Sequence, residues 1–193
     1  KAAALLCGAA VILFFAWPVG ERRIGGGGSL EIYSSEGTAL RRFRSDSGSY
    51  AQRLPLGEYP LQLVRSVIAA EDRRFFFHHG FDPSAVVRAA WQDLRARRVI
   101  SGGSTITQQL VRIAYVRELP RNGFLRKLVE LPLALRLELH FSKKQILEAY
   151  LNRVPLSCNS SGFASASRRI LGRDPRFLSP DECAALVVLT RQN

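Results

Sequence analysis

Residues Leu61 to Gly80 read LQLVRSVIAAEDRRFFFHHG, and this stretch sets the fold class. Leu61, Val64, Ile68 and Phe75 recur at helical spacing, so an amphipathic helix is predicted to run into an aromatic and histidine cluster. The slot between Ile68 and Phe75 on that face is filled by Glu71, a carboxylate in an apolar stripe. Carboxylates on core-facing stripes lose hydration, which favours the protonated form and suits them to exchanging a proton. Taken alone, Glu71 reads more readily as a helix-end group with its head in water, or as the partner of Arg73 or Arg74.

Outward from this stretch the signals stay helical. Asp82 followed by Pro83 is an N-cap with a first-turn proline, opening a helix through Ala85, Val86, Ala90, Trp91 and Leu94. Thr105 with Gln108, Ser142 with Gln145, and Ser179 with Glu182 each match the capping box, marking three further helix starts. A long helix follows Gly123, and Pro132 within it should kink it, because it lacks the N–H that bonds four residues back. Ahead of these lie two short strands, Leu30 to Tyr33 and Ala39 to Phe43, joined around Glu36 and Gly37. The domain is therefore expected to be mainly α with a small β-hairpin entry.

The chain opens with a segment of another kind. Ala2 to Val19, AAALLCGAAVILFFAWPV, is eighteen residues without a charge. At roughly 1.5 Å per residue it spans about 27 Å, near the thickness of a bilayer core. Residues 1–20 are read as a transmembrane helix, 21–29 as a glycine-rich linker around GGGGS, and 30–193 as the folded domain. Positive charge on both flanks leaves the orientation of the anchor open. The absence of Met from all 193 residues reads the chain as a processed or excised piece of something longer.

The chain has 28 basic and 16 acidic side chains, so its net charge of +12 points to an anionic partner. With an anchor present, lipid headgroups or a lipid-linked phosphate suit that charge, whereas no basic motif with interleaved aromatics supports nucleic acid. Cys7, Cys158 and Cys183 form no metal spacing, and a Cys158–Cys183 disulfide stays open.

A second chemical site is expected at Ser101 to Arg112, SGGSTITQQLVR. Two glycines precede a capped helix start, so free backbone N–H groups at Ser104 to Thr107 and the positive end of the helix dipole would cradle an anion. Arg112, two turns on, adds fixed positive charge. Arg126 and Glu130 in RKLVE are four apart and share a helix face. The segment KKQILEAYLNR, Lys143 to Arg153, places Ile146, Leu147, Tyr150 and Leu151 inward and reads as structural.

Together these stretches resemble the glycosyltransferase domain, family 51, of class A penicillin-binding proteins and of monofunctional peptidoglycan glycosyltransferases. The patterns E-D-x-x-F-x-x-H-x-G, G-G-S-T-I-T-Q-Q-L, R-K-x-x-E and K-x-x-I-L-E-x-Y-L-N are met at Glu71 to Gly80, Gly102 to Leu110, Arg126 to Glu130 and Lys143 to Asn152. Four such matches in one order are specific. The run ISGGST and the Arg-x-Pro at Arg153 to Pro155 lean towards the 1C type.

The resemblance implies a lysozyme-like fold anchored in the cytoplasmic membrane by a single pass, with the domain on the extracytoplasmic side. It implies polymerisation of lipid II into glycan strands, with membrane lipids and cell-wall synthesis proteins as further partners. By analogy Glu71 is the base that takes the acceptor proton, and Glu130 is the second catalytic glutamate, supporting the leaving group directly or through a divalent ion such as Mg²⁺ or Mn²⁺. Asp72, Phe75, His78, Gly103, Ser104, Thr105, Gln108, Gln109, Arg112, Arg126 and Lys127 are the implied substrate-binding residues.

Departures from the family pattern accompany it. Arg112 stands where Lys is usual, and VPLSCNSSG after Asn152 replaces a glycine-containing turn. No Ser is followed three residues later by Lys, so the motif of a transpeptidase nucleophile is missing from this stretch of chain. Two other readings compete: a hydrolase using Glu71 as general acid, and an anchored module that binds lipid II or a cell-wall partner with weak or no catalysis.

Overall fold

A computed structural model describes residues 19–36, 38–45, 48–96 and 103–190. The predicted anchor lies outside the described residues apart from its last positions, and no helix among those described is long and apolar enough to cross a membrane. The described body is mainly helical, as expected from the sequence.

The chain enters through α1 (Glu21–Gly25) and an antiparallel pair, β1 (Glu31–Tyr33) with β2 (Ala39–Arg42). Packing begins earlier than the expected boundary near residue 29, because Ile24 is buried in the core. The glycine run is pinned beyond it, where Ser29 N donates to Ala51 O at 2.7 Å and Ser29 Oγ accepts from Ala51 N at 2.8 Å.

The core is built by α2 (Leu61–Glu71), α4 (Ile106–Ala114), α5 (Gly123–His140), α6 (Lys143–Arg153) and α8 (Pro180–Leu189), after α3 (Pro83–Ala96) and the short α7 (Phe163–Ala166) are counted in chain order. Helix α4 packs against α5 and α6, and α2 packs against α8. The capping boxes expected at Thr105, Ser142 and Ser179 all form, each side chain accepting from the backbone N–H three residues on. Asp82 Oδ1 likewise accepts from Ser84 N at 2.9 Å as α3 begins. Helix α5 starts at Asn122, whose Oδ1 accepts from Phe124 N and Leu125 N, and runs through Pro132 to His140.

The inward face of α2 is rotated from the predicted stripe. Leu63 and Val67 are fully buried, Val64 and Ile68 flank them against the core, and Leu61 is 62% exposed in the first turn. Burial of Leu63 and Val67 stabilises this helix by about 1.5–3 kcal/mol each. Glu71 follows Val67 by one turn, so the carboxylate still lies on the inward side, half buried at the last helical residue.

A second small sheet escaped the sequence reading. Strand β3 (Tyr50–Ala51) runs parallel to β5 (Ser160–Ser161), which pairs antiparallel with β4 (Pro155–Leu156). The altered stretch after Asn152 is thus a hairpin, its turn made by Ser157 to Asn159 with Cys158 and Asn159 at φ of 61° and 53°. Gly162 closes it at φ +80°, where a Cβ would stand 2.5 Å from Asn152 O. Asn152 anchors the other side: its Oδ1 accepts from Leu54 N at 2.8 Å and its Nδ2 donates to Leu54 O at 2.9 Å. Cys158 is exposed and Cys183 buried, and no disulfide joins them.

Candidate active site

The turn after α2 folds back onto the start of α4. Asp72, buried, accepts from His78 Nε2 at 3.0 Å and from Ile106 N at 3.0 Å. Thr105 Oγ1 donates to Gly80 O at 2.7 Å. Gly80 is required there: its φ is +82°, and a Cβ would lie 2.9 Å from the Ala134 backbone of α5. Phe75 is fully buried beneath, with Lys143 Nζ 4.4 Å from its ring centroid.

Two N–H groups of the expected anion cradle, those of Thr105 and Ile106, are taken by the protein's own side chains. The Ile106 N–H is occupied by Asp72, the Gln108 N–H by Thr105 Oγ1 at 3.2 Å, and the Thr105 N–H by Gln108 Oε1 at 3.4 Å. The anion at this helix start is the protein's own Asp72 carboxylate, a favourable partner for the positive end of α4. Asp72, Phe75, His78, Thr105 and Gln108 are buried. Gly103, Ser104, Gln109, Arg112, Arg126 and Lys127 are partly exposed. Gly103 packs on α3, where a Cβ would approach Val86 Cα to 3.0 Å.

Helix α4 presents two functional side chains one turn apart, Gln109 towards one glutamate and Arg112 towards the other. Gln109 Nε2 donates to Glu71 Oε2 at 2.9 Å, and Thr190 Oγ1 lies 2.9 Å from Glu71 Oε1. Tyr150 O–H donates to Gln109 Oε1 at 3.0 Å. Burial pushes the Tyr150 hydroxyl well above its ordinary range, with the Glu71 charge adding to the effect, so it stays a donor. Thr190 and Tyr150 were missed by sequence reasoning, as was Glu138, which accepts from Thr107 Oγ1 at 2.5 Å and pairs with Lys143 at 2.7 Å. Lys143 was read as structural although it opens the matched pattern at Lys143 to Asn152.

The second glutamate is the hub of a basic cluster. Arg112 Nε and Nη2 donate to Glu130 Oε1 and Oε2 at 2.8 and 3.1 Å, a bidentate pair. Arg126 Nε stands 3.4 Å from Oε1 and Lys127 Nζ 3.2 Å from Oε2. Lys127 Nζ also donates to Ser104 Oγ at 2.7 Å, tying α5 to the loop before α4. The Glu130 side chain is fully buried while Arg112, Arg126 and Lys127 are 37%, 36% and 42% exposed. Burial works against the Glu130 charge, but the hydrogen bonds and charges of Arg112 and Lys127 outweigh it and hold the carboxyl below its ordinary range. A fixed anion thus gathers three cations whose outer faces stay open to an anionic ligand.

Both Glu130 oxygens already face cations, and among the described residues no three His, Cys, Asp or Glu side chains stand together to hold a metal.

A carboxylate braced by Gln109 and Thr190 and a basic cluster gathered on Glu130 thus lie along one side of α4. The family model described as Transglycosylase matches residues 36–193. Penicillin-binding protein 1C of Escherichia coli (strain K12) is 40% identical over 158 residues, covering 82% of this chain and 20% of that protein. Penicillin-binding protein 1A of Aquifex aeolicus (strain VF5) is 36% identical over 161 residues, 83% of this chain and 22% of that protein. Penicillin-binding protein 1B of Haemophilus influenzae is 37% identical over 142 residues, 72% of this chain and 18% of that protein. The chain belongs to the transglycosylase family and is a peptidoglycan glycosyltransferase domain, spanning about a fifth of the length of these relatives.

Proposed function

We propose that the domain polymerises lipid II into glycan strands by inverting transfer. The donor is the growing strand on undecaprenyl pyrophosphate, and the acceptor is the C4 hydroxyl of a lipid II sugar. Glu71 takes the acceptor proton as the C4 oxygen attacks the donor's anomeric carbon from the face opposite the pyrophosphate. The anomeric C–O bond breaks and its electron pair leaves with the pyrophosphate, so an α-linked donor becomes a β-1,4 bond. Arg112, Arg126 and Lys127 stabilise the departing charge, with Ser104 at the rim and Glu130 holding the cations in place. Gln109 orients the base. The observation that carries this reading is the placement of Glu71 and the Glu130 cluster along one side of α4.

The membrane setting is part of the proposal. Val87, Trp91 and Leu94 on α3, and Phe124, Leu128, Leu135 and Leu139 on α5, are exposed at helical spacing. With the net charge of +12 and the apolar run Ala2 to Val19, they support a domain seated on the outer face of the cytoplasmic membrane by a single-pass anchor. Membrane lipids, the growing strand and cell-wall synthesis proteins are the partners proposed.

Incubation of the purified protein with lipid II tests the reading. Strand growth supports it. Shortening of preformed glycan without growth would establish the hydrolase, and binding without polymer would establish the non-catalytic module.

A further inference from the structure

Thr190 ends α8 as its C-cap, and its side chain meets the proposed base. Thr190 Oγ1 lies 2.9 Å from Glu71 Oε1 and 2.7 Å from the Val187 carbonyl oxygen. A hydroxyl carries one hydrogen, so these two acceptors compete for it. The other carboxylate oxygen has no such choice. Tyr150 donates to Gln109 Oε1, which leaves only the Gln109 amide N–H group to face Glu71 Oε2. One side of the base is therefore held by a fixed donor and the other by a donor that can turn away.

We propose that Thr190 is a positioning residue for Glu71 that follows the base through its change of charge. This rests on the reading of Glu71 as the base. While Glu71 is a carboxylate, the Thr190 hydrogen points to Oε1 and fixes the carboxylate plane with Gln109 on the other side. When the C4 hydroxyl proton passes to Glu71 and the new C–O bond forms, the demand for a donor at Oε1 falls. The Thr190 hydrogen then turns to the Val187 carbonyl, and its own oxygen remains available to accept from the protonated carboxyl. Thr190 exchanges no proton with substrate; the hydroxyl can donate to one state of the base and accept from the other, which lowers the cost of moving between them. The packing of α2 on α8 brings residues 71 and 190 together, which makes the C-cap of α8 part of the proposed active site.

The test uses the anchored protein in detergent micelles with fluorescent lipid II, comparing Thr190→Val, Thr190→Ser and Glu71→Gln. Thr190→Val is expected to lower kcat about tenfold at unchanged KM, equal to about 1.4 kcal/mol of transition-state stabilisation. Thr190→Ala, a second variant without the hydroxyl, should match it, and Thr190→Ser should stay within about twofold of the starting protein. In the Glu71→Gln background, Thr190→Val should add no further loss, because no proton is taken there. If Thr190→Val leaves kcat unchanged while Glu71→Gln is inactive, the role of Thr190 falls and the base assignment stands. If Val and Ser lower the rate equally, the residue is only a helix cap and the proposal is wrong. If Glu71→Gln polymerises undiminished, the base assignment itself has failed.

Discussion

Replacing Glu130 by Gln keeps the side-chain shape and removes the charge that gathers Arg112, Arg126 and Lys127 at 2.8, 3.4 and 3.2 Å. Removing one partner of a buried ion pair costs about 3–5 kcal/mol when the other is left buried. Here the three cations are more than a third exposed and water recovers part of their hydration, so the loss discounts to about 2 kcal/mol. For a domain of this size that lowers the melting temperature by about 4–8 °C. The Glu130 carboxyl is held below its ordinary value of 4.5, so its contribution is fully present above that pH and is lost as pH falls through the depressed folded value. The gap between Glu130→Gln and the unaltered protein, read by differential scanning calorimetry from pH 7 downward, should therefore close in acid. Polymerisation at pH 7 should fall by about a hundredfold, because the cations lose their common anchor. An unchanged or raised melting temperature at pH 7 would refute the claim that Glu130 organises the cluster.

Gly80→Ala should destabilise the protein by at least about 2 kcal/mol by chemical denaturation, since φ is +82° and the added Cβ would meet the Ala134 backbone at 2.9 Å; a neutral effect would contradict that contact. Tyr150→Phe removes the bond that orients Gln109 and should lower kcat several-fold with little change in KM, whereas a loss confined to KM would place Gln109 on the substrate instead.

The legible parts of the sequence were those governed by local physics. A capping box is a four-residue pattern that carries its own hydrogen bonds, so Thr105, Ser142 and Ser179 marked their helices without tertiary knowledge. Periodicity placed Glu71 on the inward side of α2 but set the stripe by Leu61, which the first turn leaves in water; packing against α8 chose Leu63 and Val67. The Ser104 to Thr107 start was read as an anion site because its N–H groups are free in an isolated helix, and nothing local shows that Asp72, on a distant segment, takes one of them. Thr190 was illegible for the same reason, being 119 residues from Glu71. The strands β3 to β5 are two residues each, too short for alternation to show, and they exist through cross-chain pairing.

The most direct test of the central claim is strand growth from lipid II by Glu71→Gln in the anchored protein, with lipid II binding measured alongside. Loss of a positioned general base should cut polymerisation by about a hundredfold or more while binding persists. Polymerisation at the rate of the unaltered protein would contradict the assignment of Glu71 as the base.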